Sequence, residues 1–371
     1  MKVVHLVSCR GWSSDVYWAA QMCRETVRAG HEATLVCPTG SETRVMARAR
    51  AEGVSRIETM TLRTGLRPGS DAHDLRALGA RLPAVDIVHV HRSKEHWLAA
   101  LANRRSRSPR PLVRTRHIVQ AVRPHALNRW LYSCATDLVV TVSEAIRRQC
   151  VGAGLAAANR VVTLSGGADG ERFRPSGAGT LRAELGVAEG VPIAGLVSGF
   201  RVMKGHAIVL DAAEQLAGSG RPFHLVFVGQ GPFEPLMRER ASRAGLSDRV
   251  SFVGFADDPA RWVAAFDIAL YPPLESDGMS RALFEYLASG RAVIASRVGA
   301  AAEVVRDGET GLLVPGGDAP ELARALGRLL DDPALRERLG QAAGAVARER
   351  FTAARVAERL LEHYRELAAG P

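Results

Sequence analysis

Short apolar runs of strand length alternate with helix-length amphipathic stretches along most of the chain, and that alternation fits an α/β fold class. In the first half the strand-like runs are Val3–Val7, Glu32–Val36, Ile87–His91, Leu112–Thr115, Leu138–Val142 and Val161–Thr163. Helical stretches at Val16–Ala29, His96–Ala102 and Glu144–Cys150 lie between several of them. Strands this apolar need cover on both faces, which a parallel sheet between two helical layers provides. Residues 165–190 break the pattern with glycines and Pro175. It restarts with Ile193–Ser198, His224–Val228, Val250–Val253, Ile268–Tyr271, Ala292–Ala295 and Leu312–Val314. From Pro320 onward helical composition dominates, interrupted at Pro333 and closing in a helix around Thr352–Leu367. The pattern predicts two Rossmann-like, doubly wound parallel-sheet domains, residues 1–170 and 171–350, facing across a cleft. A helix in 351–371 is expected to pack back on the first.

Composition excludes several functions. The longest apolar runs are strand length, far short of the roughly 20 residues a membrane helix needs. The opening Met1-Lys2-Val3-Val4-His5 reads as a buried strand rather than a leader, giving an expectation of a cytoplasmic protein. Five cysteines (Cys9, Cys23, Cys37, Cys134, Cys150) are an odd number without a C-x-x-C pair, so they read as reduced residues in or near the core. Residues 1–170 hold 25 Lys+Arg against 13 Asp+Glu, a net +12, while 171–371 hold 24 against 26, a net −2. A basic first half attracts anions: phosphorylated substrates, or the lipid head groups of an inner membrane face to which the protein would be peripheral. Nucleic acid is not expected, because Arg104-Arg105-Ser106-Arg107 lacks interleaved aromatics and no recognition motif accompanies it.

Two loops at strand ends carry chemistry. After Ile193–Ser198 comes Gly199-Phe200-Arg201-Val202-Met203-Lys204-Gly205-His206, with two cations that suit a diphosphate and glycines that permit close approach. The plainer alternative is a solvated basic loop. After Ile268–Tyr271, Asp277 and Gly278 lead with Met279 and Ser280 into a helix start, where free backbone N–H groups favour anionic oxygens. Glu285, about two helical turns on, falls near the same face and sits among Leu283, Phe284 and Leu287, where a merely solvated charge is out of place. Histidines 89 and 91 alternate on a strand, with His96 nearby, but no carboxylate completes a metal set, and no metal or other cofactor is expected.

As a set, these residues resemble the donor domain of retaining glycosyltransferases of family 4 (group 1), which have the GT-B fold. Asp277 to Glu285 stands for the family's E-x7-E stretch, Arg201 and Lys204 for its phosphate motif, and Gly229-Gln230-Gly231-Pro232 for its G-x-G-P loop. The segment from Ala292 to Val314 is similar to the one that closes the family's nucleotide site, and the likeness covers nearly all of residues 190–320. Asp277 replaces the commoner Glu, and the Arg-to-Lys spacing is short for the family. The first half is less similar: Asp86 to His91 and Arg114 to His117 fit the family's strand-end histidines, while Gly11-Trp12 replaces a Gly-Gly pair.

The resemblance implies transfer of a sugar from a nucleoside-diphosphate sugar to a sugar, lipid-linked or other hydroxyl acceptor with retention, as in cell-envelope glycan or glycolipid assembly. It implies that Glu285 holds ribose hydroxyls and that Arg201 and Lys204 neutralise the leaving diphosphate. Asp277 with Gly278, Met279 and Ser280 would orient the sugar, and Gly11 would let the first loop approach the phosphates. His117 would contact the reacting sugar or acceptor, with His91 and Arg116 on the acceptor side, and domain closure would exclude water. A nucleotide-sugar 2-epimerase of the same fold remains open, as does a non-catalytic sugar-nucleotide-binding protein. A dinucleotide dehydrogenase does not fit, because Ser8 to Ser14 lacks G-x-G-x-x-G.

Overall fold

The computed structural model describes the chain outside Arg10, 176–180, Ser276, Asp277, Met279, Ser280 and Pro371, and outside the side chains of Glu42 and Thr43. It divides into two compact units: residues 1–167 with 353–371, and residues 168–352.

The first unit is built on seven parallel strands: β1 (Lys2–Leu6), β2 (Glu32–Pro38), β3 (Ile57–Met60), β4 (Ile87–Val90), β5 (Leu112–Arg116), β6 (Leu138–Thr141) and β7 (Val161–Thr163). Their order in the sheet is β3-β2-β1-β4-β5-β6-β7. The chain therefore runs outward from β1 to one edge and returns to start the other half at β4. The loops after β1 and β4 flank the point where the direction of winding reverses, the place where such sheets bind ligands. Pairing sets His5 of β1 opposite His89 of β4, so these two side chains share one face of the sheet. Helix Ser14–Arg28 packs with the C-terminal helix Ala353–Ala369 in this unit. Trp18 from the former and Tyr364 from the latter are fully buried.

The second unit has six parallel strands, β8 (Ile193–Val197), β9 (His224–Val228), β10 (Val250–Gly254), β11 (Ile268–Tyr271), β12 (Ala292–Ser296) and β13 (Leu312–Val314), in the order β10-β9-β8-β11-β12-β13. Here the reversal lies between β8 and β11, whose following loops carry the two chemical motifs. Helices cover both faces. Leu210, Leu225, Phe227 and Leu326 belong to one core, and Val226, Phe266, Phe284 and Leu287 to the other. Pro333 opens the helix Pro333–Arg350 after Ala319–Asp331 has ended, with Asp332 capping the backbone N–H of Leu335.

The sequence pattern misses one strand, β3, whose four residues Ile-Glu-Thr-Met are too short and too polar to stand out. The cysteine reading needs one correction: all five are free thiols, but Cys134 is exposed while the other four are buried.

Candidate functional site

In the second unit, three strand-end loops are fastened to one another by backbone contacts. The loop after β8 makes a turn of 3₁₀ helix at Val202–Lys204 that ends on Gly205, with φ +76°. A Cβ at Gly205 would lie 1.9 Å from the carbonyl oxygen of Pro272, in the loop after β11, so only glycine fits. The two loops are also joined by the Leu274 N–H, which donates to the Met203 carbonyl at 2.9 Å. Behind them stands the loop after β9: Phe200 N–H donates to Gln230 O at 3.2 Å, and a Cβ at Gly231 would fall 2.5 Å from Phe200 O. The Gly229-Gln230-Gly231 stretch thus acts as a brace for the Arg201–Lys204 turn.

On that turn Arg201 is exposed and Lys204 half-buried. Gly278 is buried with φ +90°. Asp277, Met279 and Ser280 lie outside the described residues. Glu285 is only 2% exposed on the helix Arg281–Ala288, where it accepts a charge-assisted bond from Arg281 Nε at 2.5 Å. The neighbouring Tyr286 hydroxyl accepts from the Val197 N–H at 2.6 Å, tying this helix to the end of β8. The result is a strand-edge surface with two cations and a buried carboxylate on adjoining elements. It suits a ligand with both phosphate charge and hydroxyl groups.

In the first unit, four imidazoles form a buried cluster. His5 lies 4.8 Å from His89 and 5.4 Å from His91, His89 lies 4.6 Å from His91, and His91 lies 5.3 Å from His117 between ring centroids. His5 Nδ1 bonds His91 Nε2 at 3.1 Å, and His91 Nδ1 bonds His117 Nε2 at 3.0 Å. His89 bonds the Tyr364 hydroxyl through Nδ1 and the Thr115 hydroxyl through Nε2. Burial lowers the basicity of all four: His5 and His117 fall to about 3, and His89 and His91 well below the usual value. His5, His89 and His91 each offer an atom within 4.8 Å of the others, close enough to consider a metal ion. The in-plane lone pairs that an ion would need are taken up instead in hydrogen bonds between the rings. Both nitrogens of His89 and of His91 are also already engaged. His96 stands apart, bonded to Thr136 and set edge-on to Tyr132.

Arg116 does not join His91 and His117. Thr115 bonds His89, so strand alternation puts Arg114 and Arg116 on the opposite face, where Arg116 donates to the Gln120 carbonyl. Gly11 has open space where a side chain would stand. Its loop is clamped by a residue that the sequence did not single out: Arg92 donates to Ser8 O at 3.2 Å and Ser13 Oγ at 3.1 Å and pairs with Asp15. Burial alone would raise the Asp15 carboxyl, but Arg92, His117 and Ser13 together bring it down to about 2. Also at this strand edge is a cavity of ≈ 380 Å³ lined by Cys9, Thr39, Thr61, Arg63 and Arg67 among others. Its wall includes Leu62, whose φ of +40° is held by Asp74 accepting from the N–H groups of Thr61 and Leu62.

Comparison with known proteins extends these observations. The profile described as "Glycosyl transferases group 1" matches residues 191–332, and that of "Glycosyltransferase Family 4" matches residues 17–172. The D-inositol 3-phosphate glycosyltransferase of Nocardia farcinica is 33% identical over 334 residues, covering 83% of this chain and 72% of that protein. A glycosyltransferase from Rickettsia africae superposes with a TM-score of 0.88 at 19% identity, over 100% of this chain and 99% of that one. Anabaena HepE in complex with UDP gives 0.82 at 22% identity, over 99% and 100%. No helix among the described residues is long and apolar enough to cross a membrane. With both units matched in turn, and a relative one-third identical across most of both chains, this chain belongs to glycosyltransferase family 4 and is a glycosyltransferase of GT-B fold.

Proposed function

We propose that the chain moves a glycosyl group from a nucleoside-diphosphate sugar to an acceptor hydroxyl with retention at the anomeric carbon. The observation that carries this reading is the fastened strand edge of the second unit, where Arg201 and Lys204 stand beside the Gly278 loop and the buried Glu285. In this reading Glu285 exchanges part of its bond to Arg281 for ribose hydroxyls, and the two cations stabilise the charge that grows on the departing diphosphate. The bond from the anomeric carbon to the diphosphate breaks and a bond to the acceptor oxygen forms on the same face. The acceptor proton passes to an oxygen of the leaving phosphate. Asp277, Met279 and Ser280 are assigned to the sugar, and His117 to the sugar or acceptor next to the reacting carbon. Fixed cations carry the electrostatic work, so no metal ion is assigned a role.

The acceptor is read from the first unit. Its cavity is lined by Arg63 and Arg67 and by three threonines, Thr39, Thr61 and Thr64, a set that suits a hydroxylated acceptor bearing negative charge. The Nocardia relative is named for such a compound, a phosphorylated cyclitol. A lipid-linked acceptor is the other source of that charge. It predicts sedimentation with anionic vesicles at low salt and release as salt rises, whereas equal recovery with anionic and neutral vesicles assigns a free acceptor.

The donor reading is tested by melting the protein with UDP, GDP and dTDP and their sugars, beginning with UDP, which HepE binds. A ligand at 100 times its Kd adds about 2.7 kcal/mol to the native state. One base should therefore raise the melting temperature well above the others. His117→Ala should keep that shift and lose turnover. A panel with no shift overturns the donor assignment, and full turnover in His117→Ala overturns the role given to His117.

A further inference from the structure

The hydrogen-bonded run from His5 through His91 to His117 ends at both sides in unpartnered atoms. His5 Nε2 and His117 Nδ1 are buried and have no hydrogen-bond partner. A neutral imidazole has one N–H and one bare nitrogen, so each link needs a donor on one side and an acceptor on the other. Two orders satisfy both links. If His117 donates inward, all three rings carry hydrogen on Nε2, leaving a buried N–H on His5 and a lone pair on His117 Nδ1. If His5 donates outward, all three carry it on Nδ1, leaving a bare His5 Nε2 and an N–H on His117.

The surroundings separate these orders. A buried N–H without an acceptor is the rarer and costlier defect, and His5 lies at the interior end with 0% exposure. The other end lies in the field of the Asp15 carboxylate, which interacts with His117 and is itself held by Arg92. His117 is 7% exposed, so an N–H at that end can meet an incoming acceptor, whereas one at His5 cannot. Burial above all, with Arg114, Arg92 and Arg116 added, opposes a second proton on His117, so the ring stays neutral. His89 is anchored separately by Thr115 and Tyr364 and takes no part in the chain of bonds.

We propose that His5 and His91 are positioning residues that fix His117 in the Nδ1–H form, so that it meets its substrate as a hydrogen-bond donor and not as a base. This rests on the reading of His117 as the residue facing the sugar or acceptor. It deepens that reading, because an N–H donor recognises a hydroxyl or ring oxygen lone pair and leaves the acceptor's proton to the phosphate.

The test is nitrogen NMR of the full chain labelled with ¹⁵N in its 11 histidines, assigned by single substitutions, at pH 7 to 8. His5, His91 and His117 should each read as neutral, with Nδ1 protonated and Nε2 bare. His5→Phe removes the first donor and should give His117 a mixture of both forms. His5→Asn keeps an amide N–H near the place of Nδ1 and should restore the single form. Unlike tautomers among the three rings, a bare Nδ1 on His117, or a His117 indifferent to His5→Phe in a folded protein overturns the proposal. If His5→Phe does not fold, the wild-type tautomers and His5→Asn still decide. Should the tautomers hold while His117→Ala retains full turnover, the chain stands and the functional role of His117 falls.

Discussion

Lys204→Ala is expected to lower turnover roughly 100-fold or more while the protein stays folded, because it removes one charge-assisted contact from the developing diphosphate. The turn that carries it is held by backbone contacts. Its shape is set by the Gly205 backbone against Pro272 and by the Leu274 to Met203 bond, which alanine leaves in place. Half-buried Lys204 should therefore report chemistry rather than folding, and exposed Arg201 should cost less when truncated. Lys204→Arg supplies the same charge with a planar head of different reach, so partial recovery is expected. The measurement is kcat/KM for the donor alongside the melting temperature. Unchanged kinetics would remove Lys204 from the site, and a lowered melting temperature with proportionate loss of activity would assign it to structure instead.

Much of the second unit was legible in the sequence because its features are local. Four of its strands need nothing more than a run of apolar residues, and His224–Val228, Ile268–Tyr271 and Leu312–Val314 match residue for residue. Glu285 was readable because a carboxylate among Leu283, Phe284 and Leu287 on a helical repeat must be buried with a partner, and Arg281 one turn earlier supplies it. What escaped depends on distance along the chain. The His89 to Tyr364 bond joins positions 275 apart, and the Arg92 clamp on the first loop joins positions 77 to 84 apart. No periodicity encodes such pairs. His5 carried a faint signal, a lone polar residue inside the first apolar strand. Its meaning required the parallel register that sets it opposite His89. Arg116 shows the reverse case: the resemblance set it with His117 on the acceptor side, and strand alternation turns its side chain to the other face of the sheet, towards the Gln120 carbonyl.

Acid should unfold the first unit between about pH 6 and pH 4 while the second persists. Five buried histidines, His5, His89, His91, His96 and His117, all belong to residues 1–167, and burial lowers the pKa of each, to about 3 for His5 and His117. Below about pH 6.5 the unfolded chain takes up protons on these rings and the folded chain does not. The stability they allow is thus complete above 6.5 and declines as pH falls, at up to about 1.4 kcal/mol per ring for each pH unit. Five rings together reach about 7 kcal/mol by one unit below 6.5, against a domain stability of roughly 5–15 kcal/mol. Asp15 adds to the loss only later, because its carboxylate stays charged in the fold down to about pH 2 and in the unfolded chain only to about 3.8. The second unit has fewer such groups: burial holds His206 near 4 and lowers His224. Four of the five tryptophans, Trp12, Trp18, Trp97 and Trp130, lie in the first unit, and Trp18 packs against three of the histidines. Tryptophan emission should therefore shift red in this interval with a larger fractional change than the far-ultraviolet helix signal, which both units share. His96→Phe, placed away from the chain of bonds, should move the midpoint to lower pH. A single transition common to both probes, or emission unchanged down to pH 4, would show that these rings do not control the first unit.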